Sequence, residues 1–136
     1  NLKMAGAEDG CGFLTEKGRC GIHPFRPGIC RLFPLGRYYE ENGFRYFLQV
    51  HECQKENRTK VKVKKWLDTS NLKDYEAYIA RWHGFLIQLQ EYIAAHPESA
   101  KAVSMDILQR FYLTPYQTEE FYSEFFRRMD EAKNIL

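Results

Sequence analysis

The stretch that decides the fold is residues 11–37, which read CGFLTEKGRCGIHPFRPGICRLFPLGR. It contains three of the four cysteines, five of the nine glycines and three of the five prolines. Glycine and proline at this density interrupt regular structure, and no strand-like or helix-like period of apolar residues persists here. We therefore expect loops and single turns, with a short helical turn over residues 28–33 following Pro27. Arg26 should be extended because it precedes a proline.

A β-hairpin is predicted directly after this stretch. The segments GRYYE (36–40) and FRYFLQV (44–50) flank Asn42 and Gly43, and Asn-Gly is a strong signal for a two-residue type I′ turn. With these two residues as the loop, three favourable cross-strand pairs form: Glu40 with Arg45, Tyr39 with Tyr46, and Tyr38 with Phe47. Extended further, this register brings Cys53 level with Leu32, so we expect the hairpin to return Cys53 to the neighbourhood of Cys30.

The second half of the chain is free of cysteine and reads mainly as helix. Apolar residues keep helical spacing over residues 72–95, and Ser70 or Asn71 can cap this helix. Further helices are predicted over residues 98–113 and after Thr118. We predict a mainly α fold with a small β-hairpin, in which an irregular Cys-rich loop module (residues 1–60) packs on a bundle of about three helices (residues 61–136) to form one compact unit.

Composition excludes several classes of protein. The chain has 136 residues, of which 44% are hydrophobic and 28% charged, as in ordinary globular domains. No apolar run approaches the roughly 18 residues of a membrane span. The net charge is +2, and we interpret the six Lys and Arg residues within residues 55–65 as a solvated face. No secretory signal pattern follows Asn1. We expect no membrane span, no nucleic-acid partner and a cytoplasmic location.

The four cysteines are spaced Cys11-x8-Cys20-x9-Cys30-x22-Cys53, with no CxxC pair. Three interpretations are open: buried free thiols, two disulfides, or metal ligands. Buried thiols would be scattered through the apolar periodic segments, whereas these four lie in or beside the Gly/Pro-rich front. A helical body has little need of disulfides. Metal ligation explains the clustering best, because a metal can hold an irregular loop together where a hydrophobic core cannot.

The front of the chain also resembles a known family. The matched residues are Cys11, Phe13-Leu14, Cys20, Ile22-His23, Arg26-Pro27, Cys30-Arg31 and Phe33-Pro34, followed by the HEC that ends in Cys53. This pattern is similar to the C-terminal part of the bacterial YkgJ-like cysteine-cluster family, whose members are described as zinc- or iron-chelating proteins. The CxxCxxCC segment that names the family is absent here, and the resemblance implies that it lies upstream of Asn1.

The resemblance implies that Cys11, Cys20, Cys30 and Cys53 are metal ligands, in one site or as parts of two. Zinc takes four tetrahedral thiolate or imidazole ligands, and a [4Fe–4S] cluster also takes four cysteines. The sequence does not separate zinc from iron or an iron–sulfur cluster. Of the predicted ligands, Cys20 and Cys30 are expected to lie close together with Cys53 near them.

Three further residues are candidates for a supporting shell around the metal. His51 lies two residues before Cys53, and could act as a ligand or as a hydrogen-bond donor to one. Arg26 and Arg31 flank the Cys30 loop, where they could offset thiolate charge or bind loop carbonyls, and we favour the second role. His23 follows Cys20 but is disfavoured as a ligand, because the resembled proteins often carry Tyr at that position.

Three functions from different classes follow. The favoured one is a metal-binding protein with a structural, storage or electron-transfer role. The second is part of a protein-modifying enzyme, since flagellin lysine methylases share a related cysteine cluster. The chain has no nucleotide-binding Gly-rich loop and no paired catalytic carboxylates, so a non-enzymatic role is favoured. The third is a disulfide-stapled interaction module.

Overall fold

The computed structural model of the protein describes residues 4–5, 10–41, 43–52 and 59–134. Within these residues the fold is mainly α with a small β-hairpin, as predicted. The helices are α1 (Gly28–Leu32), α2 (Val63–Leu67), α3 (Leu72–Ala95), α4 (Ala100–Leu108) and α5 (Phe121–Lys133). The strands are β1 (Met4–Ala5), β2 (Gly10–Cys11), β3 (Leu35–Glu40) and β4 (Gly43–Leu48). No helix in the described residues has the length and apolarity to cross a membrane.

The chain divides into two compact units. The front unit covers Asn1–Asp68 and the helical unit covers Thr69–Leu136. The predicted boundary lies after residue 60, whereas the front unit ends at Asp68. The reason is that α2 packs on α1 within the front unit. The indole N–H of Trp66 in α2 donates to the carbonyl of Phe33 at 3.1 Å.

The long helix α3 begins and ends where the sequence predicts. The Asn71 side chain caps it by accepting a hydrogen bond from the backbone N–H of Asp74 at 3.2 Å. Such a cap satisfies one of the N–H groups that the first turn of a helix leaves without a partner. The helix ends at His96 because Pro97, the next residue, cannot continue the hydrogen-bond ladder.

The core of the helical unit is aromatic. Phe85, Phe111, Phe125, Met129 and Ala132 form one buried cluster. Trp82 and Tyr78 of α3 pack against it, with ring centroids 4.8 Å from Phe111 and 4.7 Å from Phe125 respectively. Burial, together with neighbouring tyrosines, raises the pKa of Tyr78 to about 12, so its phenol stays neutral. Aromatic residues make up 15% of the chain, and this cluster accounts for part of them.

A π-helical turn, Gln109–Leu113, follows α4 directly. The backbone N–H of Thr114 donates to the carbonyl of Gln109 at 2.9 Å, which closes the wider turn. Pro115 comes next and cannot continue the helix. From α5, the buried Arg128 donates to the carbonyls of Arg110, Thr114 and Pro115 at 2.6, 2.9 and 2.7 Å. Arg128 therefore satisfies the carbonyls that the end of the helix leaves exposed.

The hairpin forms, but its predicted register is wrong by two residues. Glu40 pairs with Gly43, Tyr39 with Phe44, Tyr38 with Arg45 and Gly36 with Phe47. The connection therefore spans positions 41 and 42, and Asn42 lies outside the described residues. A shift of two keeps every side chain on its predicted face.

Two contacts favour the observed register of the hairpin. The ring of Phe47 lies where a Cβ at position 36 would be, so only glycine fits opposite it. Arg45 lies over the ring of Tyr38 with its Cζ 5.0 Å from the centroid, and still forms an ion pair with Glu40 at 3.0 Å. The predicted charge pair thus forms diagonally across the strands instead of directly.

The front unit contains little hydrophobic core. Among its described residues, Leu32 of α1 and Leu67 of α2 are the buried hydrophobic side chains. Several large apolar side chains are instead exposed, including Phe25 at 82% and Ile29 at 65%. The antiparallel strands β1 and β2, which the sequence analysis did not predict, pair Met4 with Cys11 in this unit.

Candidate functional site

Cys11 and Cys20 belong to one hydrogen-bonded loop. The carbonyl of Cys11, in β2, accepts from the backbone N–H of Leu14 at 3.1 Å and closes a turn. Leu14 in turn pairs with Cys20 in an isolated antiparallel bridge. At the tip of the loop Gly18 has a φ of +68°, which a residue without a side chain adopts readily. The Gly-rich sequence between the two cysteines therefore forms a tight turn that links their backbones.

Cys30 lies in the middle of α1. The carbonyl of Pro27 accepts from the backbone N–H groups of Cys30 and Arg31 at 3.0 and 3.1 Å. Arg26 is extended before Pro27, as predicted, and Pro27 itself is the residue that precedes the helix. The Pro-rich sequence thus starts a single helical turn that presents Cys30.

Cys53 lies outside the described residues. The hairpin that precedes it ends with a hydrogen bond from the backbone N–H of Gln49 to the carbonyl of Pro34, at 3.0 Å. Along the sequence, Gln49 lies four residues before Cys53 and Pro34 lies four residues after Cys30. The two ends of the hairpin are thus fixed side by side at equal sequence distance from these two cysteines.

The thiols of Cys11, Cys20 and Cys30 are free and half-buried. Two disulfides among four cysteines would require at least one bridge between two of these three. The structure has none between them. The donor chemistry suits zinc or iron, because both metals take cysteine sulfur as a ligand. No three His, Cys, Asp or Glu side chains come together as a metal-binding group in the described part of the chain.

The two histidines considered as ligands are both exposed. His23 opens the short 3-10 turn His23–Phe25, and its carbonyl accepts from Nε of Arg26 at 3.0 Å. His51 lies in the turn after β4. Neither imidazole joins a metal-binding group of described residues. A role for His51 beside the metal stays a prediction.

The two arginines beside Cys30 bind backbone carbonyls, as the sequence analysis favours. Arg26 makes the local bond to His23 described above. Arg31 donates to the carbonyls of Pro24, Arg26 and Asp68 at 3.2, 3.0 and 2.8 Å. The carboxylate of Asp68 also lies 3.5 Å from Nη1 of Arg31. Arg31 thereby joins α1 to the loop that precedes it and to the residue that follows α2, 37 positions along the chain.

Asp68 and Trp66 form contacts, with Arg31 and Phe33, that are not predicted from the sequence. Asp68 follows α2 with a φ of +50°, a left-handed conformation that aspartate tolerates better than most residues. Its carbonyl is the acceptor for Arg31, and backbone carbonyls carry no signature in a sequence. The one local signal for the end of α2 is the aspartate that follows the segment VKKWL, because helices often end at a residue in the αL conformation.

The helical unit contains a charged cleft of about 390 Å³ beside the π-helical turn. It is lined by Asp106, Gln109, Arg110, Thr114, Glu124, Arg127, Arg128 and Glu131. Arginines and carboxylates are equal in number among these residues, and each arginine is paired with a carboxylate. The hydrogen bond from Arg128, followed by that from the backbone N–H of Gln117, lowers the pKa of Glu124. These three pairs each lie within one helical segment, whereas a further ion pair, from Arg110 to Glu131 at 3.2 Å, joins the π-helical turn to α5.

A scan against models of protein families matched none of them, and no curated protein or solved structure matched the chain. The resemblance to the YkgJ-like proteins therefore stays a prediction.

Proposed function

We propose that this protein binds a metal through cysteine thiolates, as zinc or as iron in an iron–sulfur cluster. The ligands are Cys11, Cys20 and Cys30, with Cys53 as the fourth. The observation that carries the proposal is the location of the free thiols. The three described cysteines lie in the front unit, where only Leu32 and Leu67 are buried hydrophobic side chains among the described residues.

A metal would supply the stabilisation that this unit lacks. Ligation by thiolates contributes directly to folding free energy, because a preformed site rarely exists in the unfolded chain. The three described thiols lie on short hydrogen-bonded elements rather than in a packed core, so a metal is a fitting source of stability for this part of the unit.

The hairpin supports Cys53 as the fourth ligand. It fixes Gln49 beside Pro34, and these residues are four positions from Cys53 and Cys30. A sequence separation of 22 intervening residues is thereby reduced to two short segments. The three free thiols also support a cytoplasmic location, where cysteines are kept reduced.

Metal analysis of anaerobically purified protein tests the proposal. We expect about one equivalent of zinc, or iron with sulfide and the absorption of an iron–sulfur cluster. Cys20→Ser and Cys30→Ser should each lose most of the metal. The matched control is His96→Gln, because His96 lies in the helical unit with its ring stacked on Tyr92 at 4.4 Å. Less than a tenth of an equivalent of either metal, with every thiol titratable, would contradict the proposal.

A further inference from the structure

The Arg31 side chain and its three carbonyl acceptors form a contact that we call the Arg31 clamp. The acceptors are the carbonyls of Pro24, Arg26 and Asp68. The first two belong to the loop before α1, and the third follows α2. Arg31 is the residue next to Cys30. The clamp therefore binds the helix that carries a proposed ligand to two other parts of the front unit.

The helix α1 depends on such external contacts for its position. It has five residues, which is too short for a helix to be stable alone in water. No side chain caps its N-terminus. Among its residues Leu32 is buried, whereas Ile29 is 65% exposed. Packing of one leucine cannot fix the direction in which Cys30 points.

A second hydrogen bond reinforces the same junction. The indole N–H of Trp66 donates to the carbonyl of Phe33, the residue that follows α1. In one bond the donor belongs to α1, and in the other it belongs to α2. Arg31 reaches from α1 to the end of α2, and Trp66 reaches from α2 to the end of α1. Together they fix the position of one short helix against the other.

We propose that Arg31 is a positioning residue for the metal site: through the clamp it holds the Cys30 thiolate in place and couples metal binding to the docking of α2. This inference rests on the proposed function. Arg31 acts through geometry, because its planar fork binds three carbonyls in two segments at once, which the single ammonium group of lysine cannot reproduce. Metal binding at Cys30 in turn stabilises the contact between α1 and α2.

The test compares zinc affinity in four proteins: the wild type, Arg31→Gln, Arg31→Lys and Arg45→Gln. The last is the matched control, since it removes the same charge from the same unit but breaks only contacts within the hairpin, to Glu40 and Tyr38. We expect Arg31→Gln to weaken zinc binding about 10- to 100-fold, as is typical when a residue that orients a metal ligand is lost. Arg31→Lys should remain similarly weak, and Arg45→Gln should bind nearly as the wild type does.

A second readout follows the coupling to α2. The chain has two tryptophans, Trp66 in α2 and Trp82 in the helical unit. In protein labelled with fluorinated tryptophan, zinc should shift the fluorine NMR signal of Trp66 in the wild type and much less in Arg31→Gln. The signal of Trp82 serves as the internal reference. A substitution that only disturbed the structure of the helical unit would shift the fluorine signal of Trp82 instead.

The outcomes separate the inference from the proposed function. Failure of the wild type to bind any zinc or iron overturns the proposed function, and the inference with it. Equal zinc affinity in Arg31→Gln and the wild type overturns the inference alone. Recovery of affinity in Arg31→Lys also overturns it, because charge would then suffice. If Arg31→Gln does not fold, Trp66→Phe removes the bond to Phe33 while keeping an aromatic ring at position 66, and unchanged zinc affinity in that variant contradicts the coupling.

Discussion

The helical unit and the front unit are stabilised in different ways. Among the described residues, seven buried hydrophobic side chains belong to the helical unit and two to the front unit. The large exposed hydrophobic side chains show the reverse distribution, with twelve in the front unit and five in the helical unit. The helical unit is held by its aromatic core. The described part of the front unit is held mainly by hydrogen bonds to backbone carbonyls, which leaves room for a metal to contribute stability.

Two phenylalanines give the largest expected contrast between the units. Phe125 is 3% exposed at the centre of the aromatic core, and Phe25 is 82% exposed in the front unit. We expect Phe125→Ala to lower the free energy of unfolding by about 3–5 kcal/mol, because the cavity adds to the lost apolar burial. Phe25→Ala should change it by less than about 0.5 kcal/mol. Urea unfolding followed by tryptophan fluorescence measures both, with Trp82 reporting on the helical unit and Trp66 on the front unit. Equal losses in the two variants would remove the contrast.

Two glycines give a smaller contrast. At Gly36 a methyl group would overlap the ring of Phe47, whereas at Gly84, within α3, it would meet nothing within 4 Å. Gly36→Ala should destabilise the hairpin by about 1–3 kcal/mol through overpacking. Gly84→Ala should stabilise the helical unit by about 0.5–1 kcal/mol, because alanine has the higher helix propensity. Hydrogen exchange of the β3 and α3 amides measures both effects. A neutral Gly36→Ala would mean that Phe47 does not set the register.

The smallest expected effect is a dependence on pH in the helical unit. The pKa of Glu124 is lowered from its ordinary value of 4.5, first by the hydrogen bond from Arg128 and then by that from Gln117. A lowered folded-state pKa contributes stability above the unfolded value, and this contribution is lost as pH falls through the folded value. Glu124→Gln should therefore be less stable than the wild type near pH 7, and the difference should shrink below about pH 4.5. Urea unfolding across this range measures it, and a difference that grows on acidification would contradict it.

Apolar periodicity made the helical unit predictable. The bounds of α3 and its Asn71 cap follow from helical spacing, a capping side chain and the proline after His96. The role of Arg128 was harder to predict. It lies one helical turn from Phe125 on the buried face of α5, which signals a buried charge, but its acceptors are carbonyls that no side chain marks.

The front unit is less predictable from its sequence, because many of its contacts also involve backbone carbonyls. The hairpin and its faces follow from the sequence, but cross-strand pair preferences alone predict the wrong register because they do not include the close packing of Phe47 on Gly36. Arg26 and Arg31 were correctly expected to bind carbonyls. The acceptor at Asp68 lies 37 residues from Arg31, and only folding brings the two together.

Hydrogen exchange of the full chain, with metal bound and after removal by a chelator, tests the central claim most directly. If thiolate ligation organises the front unit, removal of the metal should lose protection in α1, β3 and β4 while α3 and α5 keep theirs. The helical unit is the internal control, because its protection comes from the core around Phe85, Phe111 and Phe125. Unchanged protection in the front unit after complete removal of the metal would contradict the account.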